Sequence, residues 1–263
     1  MVLWQGVIMN KHLKNLNRIE FVVINACTGK CKHCSQGEHN SHDKIDKYLA
    51  SDAVRKIARE YNIKSVMTFG GEPLLCPETV CEIHKAAREM NIPKRQLITN
   101  GYFTNDIDRI KFVANEIIKS GVNEILLSAD AFHQETIPLG PVIKFAEFVN
   151  FADITFKVHP AWLVSSENDN FYNNKTREIL DEFNRIGIET GEGNVIFPSG
   201  NALKYLGDYF DLSKEITNPY QEDPNDIHAI CFSANGDILG ENFYNKDIID
   251  ILNNYNPNNK TNL

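Results

Sequence analysis

Short apolar runs alternate with longer amphipathic stretches along most of the chain. After residue 18 the runs are "IEFVVINA" (19–26), "KSVMTFG" (64–70), "RQLITNG" (95–101), "NEILLSAD" (123–130), "DITFKVHPAW" (153–162) and, less regularly, "GNVIFPSG" (193–200). Each is rich in Val, Ile, Leu or Phe, as strands buried on both faces are. The stretches between them carry helical spacing. "SDAVRKIAREYN" places Ala53, Val54, Ile57 and Ala58 on one face behind Ser51 as N-cap. "PETVCEIHKAAREM", "NDIDRIKFVANEIIKSG" and "NKTREILDEFNRIG" follow the same logic, and "PVIKFAEFVN" bridges the fourth and fifth runs. Gly121 and Gly187 stand where a helix C-terminus wants positive φ.

This alternation predicts an α/β fold with a parallel sheet and helices outside. Six units are too few for an eightfold barrel, so the expected architecture is a partial (β/α)6 TIM-like barrel. In such folds chemistry gathers at the C-terminal ends of the strands. Those ends carry Asn25 and the cysteine-rich "NACTGKCKHCSQG", then Gly70-Gly71-Glu72-Pro73, Thr99-Asn100-Gly101, Ser128 with Asp130, Lys157 with His159, and Pro198-Ser199-Gly200-Asn201.

The expected division is an N-terminal extension (1–18), the barrel (19–202), a C-terminal extension with a small β-hairpin (203–251) and an Asn-rich tail (252–263). Trp4 and Met9 in the first segment read as part of a flap or an extra strand. A length of 263 residues with 42% hydrophobic content supports one large core. The net charge of −8, without a long basic run, gives no support to a nucleic-acid partner. No stretch is apolar enough to span a membrane, and the N-terminus does not read as a signal peptide. The expectation is a cytoplasmic protein whose clustered thiols serve metal or catalysis rather than disulfides.

Three of the six cysteines, Cys27, Cys31 and Cys34, fall within eight residues just after the first strand. Thiolates prefer soft metals and iron–sulfur clusters. A zinc site needs a fourth ligand, for which His33, His39 and His42 are candidates. The other reading is a four-iron cluster on three cysteines, with one iron left open.

Cys27-Thr-Gly-Lys-Cys31-Lys-His-Cys34 after the first strand and "FGGEPLL" (69–75) after the second together resemble the radical S-adenosylmethionine (SAM) superfamily. The resemblance covers residues 19 to 202. It implies a [4Fe-4S] cluster on Cys27, Cys31 and Cys34, with SAM chelating the fourth iron. It further implies SAM contacts from His33, from Gly70, Gly71, Glu72 and Pro73, from Asn100, from Ser128 and Asp130, and from Lys157. The implied chemistry is reductive cleavage of SAM to a 5′-deoxyadenosyl radical, which takes a hydrogen atom from a peptide or small metabolite. An electron donor such as flavodoxin or ferredoxin is the implied partner, and oxygen sensitivity the implied liability. The reading from a different class is a non-catalytic iron–sulfur or zinc protein.

Structural readings of several of these residues stand beside the functional ones. Asn100-Gly101 reads equally as a turn, Ser128 and Asp130 as helix-capping residues, and Lys157 as a surface lysine. The segment "IHAICFSANGDILGEN" resembles the hairpin of the family's auxiliary-cluster (SPASM or twitch) extensions, with Asn235-Gly236 as the turn. Glu241 stands where that motif would place a cysteine, so no auxiliary cluster is expected. Cys231 then reads as a buried hydrophobe or as a hydrogen-atom donor, a role for which Cys76 competes; Cys81 reads as helix core. His133 and Glu135 lie in "DAFHQETIPLG" past the fourth strand, where His133 has acid–base potential.

Overall fold

A computed structural model describes residues 9–38, 41–213, 218 and 221–258. Trp4 and His39 lie outside the described residues. The chain begins β1 (Arg18–Val22), α1 (Lys47–Glu60), β2 (Ser65–Phe69), α2 (Pro77–Glu89), β3 (Lys94–Thr99), α3 (Ile107–Ser120) and β4 (Glu124–Leu127). It continues α4 (Ala131–Gln134), α5 (Leu139–Asn150), β5 (Thr155–Val158), β6 (Ala161–Trp162), α6 (Phe171–Arg185), β7 (Asn194–Val195) and α7 (Gly200–Leu206). The last elements are β8 (Ala229–Phe232), β9 (Asp237–Ile238), β10 (Glu241–Asn242) and α8 (Ile248–Asn254).

Six strands form one parallel sheet in the order β5-β4-β3-β2-β1-β8. Alternate side chains fill the layer beneath the helices: Ile19, Phe21 and Val66 pack with α1 and α2, and Leu97, Ile125 and Phe156 pack with α3 and α5. The other set, including Phe69 and Ile98, faces the opposite side and the cavity described below. A parallel sheet curved into part of a barrel is the expected architecture.

Three details depart from the sequence reading. Helix α1 starts earlier than its apolar pattern: Asp46, not Ser51, is the N-cap, accepting from the backbone N–H of Tyr48 and Leu49. Ser51 is buried inside the helix and donates to the Tyr48 carbonyl. Second, the run at 193–200 supplies only β7, which pairs with β6 apart from the main sheet. The sixth strand of the sheet is β8, from beyond residue 203; it lies beside β1, with Phe232 stacked on Phe21 at 4.7 Å. Third, the expected boundary at residue 202 falls inside α7, and the tail boundary at 252 falls inside α8, where Leu252 is fully buried. Leu13 and Leu16 of the N-terminal extension are core residues too. A small β-hairpin of β9 and β10 does form, but it turns at Leu239-Gly240, both at positive φ, whereas Asn235-Gly236 makes the turn between β8 and β9.

Candidate functional site

The C-terminal ends of β1 to β4 converge on one cavity. Its lining includes Cys27, Gly29, Cys31, His33 and Cys34 from the loop after β1, and Phe69, Gly70 and Gly71 from the end of β2. Ile98, Thr99 and Asn100 come from β3, Ser128 from the end of β4, and His133 from α4.

The cysteine loop is fixed by its neighbours on every side. Gly71 N–H donates to the Ile24 carbonyl at 2.8 Å and Glu72 N–H to the Ala26 carbonyl at 2.9 Å, so the Gly-Gly-Glu-Pro turn grips the chain just ahead of Cys27. The Asn100 amide reaches Thr28 Oγ1 at 3.2 Å and Cys27 Sγ at 3.6 Å. Lys30 N–H donates to Thr136 Oγ1, and Lys32 pairs with Glu135 at 3.0 Å. Loop 130–140 therefore supports the cysteines from outside; Glu135 serves this contact and is absent from the cavity lining.

Asn201 completes the support, a role that its place at a strand end did not reveal. Its backbone N–H donates to the Cys34 carbonyl at 2.9 Å, and its amide Nδ2 to the Cys31 and Gly37 carbonyls at 3.3 Å each. Gly200, at φ +53°, permits this approach, because a Cβ there would lie 2.5 Å from the Ser35 carbonyl oxygen. We expect Asn201→Ala to speed amide hydrogen exchange across residues 31–37 about fivefold, the loss of roughly 1 kcal/mol of hydrogen bonding. Unchanged exchange would show that the side chain does not hold the loop.

Four of the expected SAM contacts, Glu72, Pro73, Asp130 and Lys157, lie outside the cavity lining. The Glu72 carboxylate is fully buried and outside the cavity lining, accepting from Leu74 N–H (2.8 Å), Thr99 Oγ1 (2.6 Å) and Asn100 N–H (2.8 Å). It ties the end of β2 to the end of β3. Pro73 opens the short 3₁₀ turn Pro73–Leu75 and is also buried outside the lining. Asp130 caps α4, accepting from Phe132 and His133 N–H and from Ala161 N–H, all at 3.0 Å, with His133 Nδ1 at 2.9 Å. That accounts for both carboxylate oxygens and bears out the capping reading. Burial would raise the Asp130 carboxyl, but the adjoining His133 imidazole outweighs it and holds the group below the usual carboxylate range. Lys157 pairs with Glu189 at 2.5 Å and does not line the cavity, as its surface reading had it. Asn100, Ser128 and His33 do line it, with Gly70 and Gly71.

Burial drives the Glu72 pKa up to about 7, against the three donors that favour its ionised form. A folded-state pKa above the unfolded 4.5 contributes stability that is complete below pH 4.5 and lost as pH rises through about 7. A displacement of that size is worth ~3 kcal/mol. The thermal-stability advantage of wild type over Glu72→Gln should therefore be greatest near pH 4.5 and shrink towards pH 8. A constant difference across that range would refute the displaced ionisation.

The three remaining cysteines lie elsewhere. Cys76 and Cys81 are buried in the core outside the cavity lining. Cys231 is exposed on β8, opposite Glu20 in register, and so is not the buried hydrophobe that one reading expected.

The donor set around the cavity fits a soft cationic group. Burial pushes the Cys27 thiol up to about 11, Cys31 still further, and Cys34 in the same direction. As thiolates they need a cation at close range. His33 Nδ1 is buried without a hydrogen-bond partner, a polar atom left for something the cavity receives. Phe69 and Ile98 of the lining had a sequence signal only in strand alternation, whereas Thr99 was visible as a polar strand end.

Residues 21–159 match the profile of the Radical SAM superfamily. Among curated proteins, the chain is 26% identical over 129 residues to a probable GTP 3′,8-cyclase of Methanocaldococcus jannaschii, covering 48% of this chain and 40% of that one. It is 23% identical over 210 residues to the GTP 3′,8-cyclase of Clostridium botulinum, covering 79% and 56%. It thus spans less than two thirds of the length of these relatives. Among solved structures, Streptococcus suis SuiB bound to S-adenosylmethionine superposes with a TM-score of 0.61 at 15% identity, over 93% of this chain and 67% of that one. Native anSMEcpe with bound AdoMet and Cp18Cys peptide gives 0.51 at 17% identity, over 85% and 73%. These superpositions agree with the partial-barrel fold.

Proposed function

The chain belongs to the radical SAM superfamily, enzymes that use a [4Fe-4S] cluster and SAM, and from that premise we propose that it cleaves SAM reductively to start hydrogen-atom abstraction from a substrate. The observation that carries the proposal is the convergence of Cys27, Cys31 and Cys34 with Gly70, Gly71, Asn100 and Ser128 on one cavity.

In this reading Cys27, Cys31 and Cys34, whose thiols are each raised by burial, would give up their protons on loading and hold the cluster. A cluster held there would supply the one electron for reductive cleavage of SAM to methionine and a 5′-deoxyadenosyl radical. The chain's own residues bind, orient and exclude water. Gly70 and Gly71 let the turn after β2 press against the backbone of residues 23–26 and so hold the cysteine loop at the cavity, and Asn100 and Ser128 offer polar side chains at the next two strand ends. Phe69 and Ile98 form an apolar wall that keeps solvent from the reacting centre. A one-electron donor such as a flavodoxin or ferredoxin is the partner this chemistry requires.

The substrate proposed is a peptide or small metabolite rather than a nucleoside triphosphate. Among the described residues, the cations of the sheet strands are engaged: Arg18 with Glu20, Lys94 with Glu124, Lys157 with Glu189, and Arg95 with the backbone carbonyls of Gly121 and Ile92. A triphosphate needs unpaired cations or a glycine-rich anion cradle. Among the described residues no helix is long and apolar enough to cross a membrane.

The test is anaerobic reconstitution followed by dithionite and SAM. Methionine and 5′-deoxyadenosine in equal amounts are the expected products. An intact cluster that yields neither would overturn the proposal.

A further inference from the structure

Cys31, His33 and His133 present a thiol and two imidazoles whose ligand atoms all lie within 4.8 Å of one another. Cys27 and Cys34, the other two cysteines of the loop, are not part of this group. In a tetrahedral site with metal–sulfur and metal–nitrogen bonds of roughly 2.3 and 2.0 Å, one thiolate and two imidazole nitrogens stand about 3.3 to 3.5 Å apart. The three groups need to close by at most about 1.5 Å, a shift of side chains rather than of backbone.

Two independent features prepare the imidazoles as ligands. His133 Nδ1 lies 2.9 Å from Asp130 Oδ2, and an ionised carboxylate only accepts, so the proton sits on Nδ1 and the Nε2 lone pair is free. A carboxylate behind one nitrogen is the usual support of a metal-bound histidine, fixing both tautomer and ring orientation. Asp130 is itself fixed by three backbone N–H groups. The His33 ring stands 4.7 Å from the His133 ring, with its Nδ1 buried and unpartnered. A buried nitrogen without a partner costs free energy that a metal bond would recover.

We infer that the cluster-free chain binds one divalent transition-metal ion through Cys31, His33 and His133, with Asp130 orienting His133 and the fourth position open. The mixed sulfur and nitrogen set suits an ion of borderline softness, zinc or cobalt(II). The site shares Cys31 with the proposed cluster, so the two occupancies exclude each other. Cluster assembly on this loop must displace the single ion, and an excess of that ion blocks assembly. The inference goes beyond the proposed function and stands independently of SAM cleavage.

The experiment uses the full chain, reduced, cluster-free and anaerobic, titrated with Co²⁺. One equivalent should bind, giving the visible bands of a tetrahedral site and a charge-transfer band of one-thiolate intensity. His133→Ala and His33→Ala should weaken Co²⁺ binding 10- to 100-fold, and Asp130→Asn about 10-fold. His133→Gln preserves side-chain bulk, and circular dichroism of each variant checks that the fold survives. Cys27→Ala and Cys34→Ala should keep the stoichiometry and the spectrum while failing to load iron and sulfide; His133→Ala should load both. Charge-transfer intensity for three thiolates, loss of the spectrum in Cys27→Ala, or unchanged affinity in folded His133 variants would each overturn the inference. A wild-type chain that binds Co²⁺ as described but never assembles a cluster would instead sink the proposed function alone.

Discussion

Replacing Cys27, Cys31 or Cys34 singly with alanine is expected to reduce SAM cleavage to background, whereas Cys81→Ala retains it. The three positions are equivalent in the proposed chemistry because each thiolate holds a different iron, and two thiolates leave a second iron exposed to exchange and loss. They are not equivalent in the fold. Cys31 is buried and presses on Gly29, with its Sγ 3.2 Å from where a Gly29 Cβ would stand, while Cys27 accepts from Gly29 N–H and Asn100. Alanine at either position removes one sulfur and leaves the loop's backbone hydrogen bonds in place. Cys81 is the matched control, a buried thiol on α2 with no route to the cavity, and its truncation should cost about 1 kcal/mol of stability. The decisive measurement pairs 5′-deoxyadenosine yield with iron and sulfide content for each variant. Full cleavage in any one loop variant with a loaded cluster would remove that cysteine from the ligand set. Equal loss in Cys81→Ala would mean that the effect is general destabilisation.

Much of this was legible in the chain because parallel strands write their burial plainly. Runs buried on both faces gave β1 to β5, overshooting their C-terminal ends by one to four residues, and those ends gave the cavity. The gaps have physical causes. Strand β8 was hidden because "AICF" is only four residues long and looked like part of a hairpin; nothing local says that it will pair with β1, some two hundred residues earlier. Asp130 and Lys157 sit at strand ends as expected, but position along a strand does not say which neighbour takes the charge. For Asp130 it is the N-terminus of α4, and for Lys157 it is Glu189. Glu72 shows the same limit: a carboxylate in a loop with chemistry on both sides is turned inward by three donors. Asn201 was visible as a polar residue after the sixth run, but its grip on the cysteine loop is a contact across about 170 residues, beyond any periodicity. Where a residue's partner is local, sequence names its role; where the partner is distant, sequence names only its address.

Gly71→Ala should be the most damaging change that removes no functional group. A Cβ at residue 71 would stand 2.0 Å from the Ala26 carbonyl oxygen, 2.5 Å from its carbon and 2.7 Å from the Asn25 carbonyl oxygen. Every one of these atoms is backbone, so no side chain can rotate away. The same backbone is pinned by the bonds from Gly71 N–H to Ile24 and from Glu72 N–H to Ala26. Relief to an ordinary contact therefore means moving residues 24–27 or residues 70–73 by more than an ångström, and Cys27 is next in the chain. Overpacking against rigid neighbours costs about 1–3 kcal/mol or more, which lowers the melting temperature of a chain this size by roughly 2–4 °C per kcal/mol. Gly207→Ala is the control, since residue 207 has helical backbone angles and open space where its Cβ would be. It should melt at or slightly above wild type, because alanine restricts the unfolded chain. Gly71→Ala should melt several degrees lower and, where it still folds, retain little iron after reconstitution, because displacing Cys27 separates one thiolate from the other two. A Gly71→Ala protein with wild-type melting and full iron content would show that the turn and the cysteine loop are not held in register by this contact.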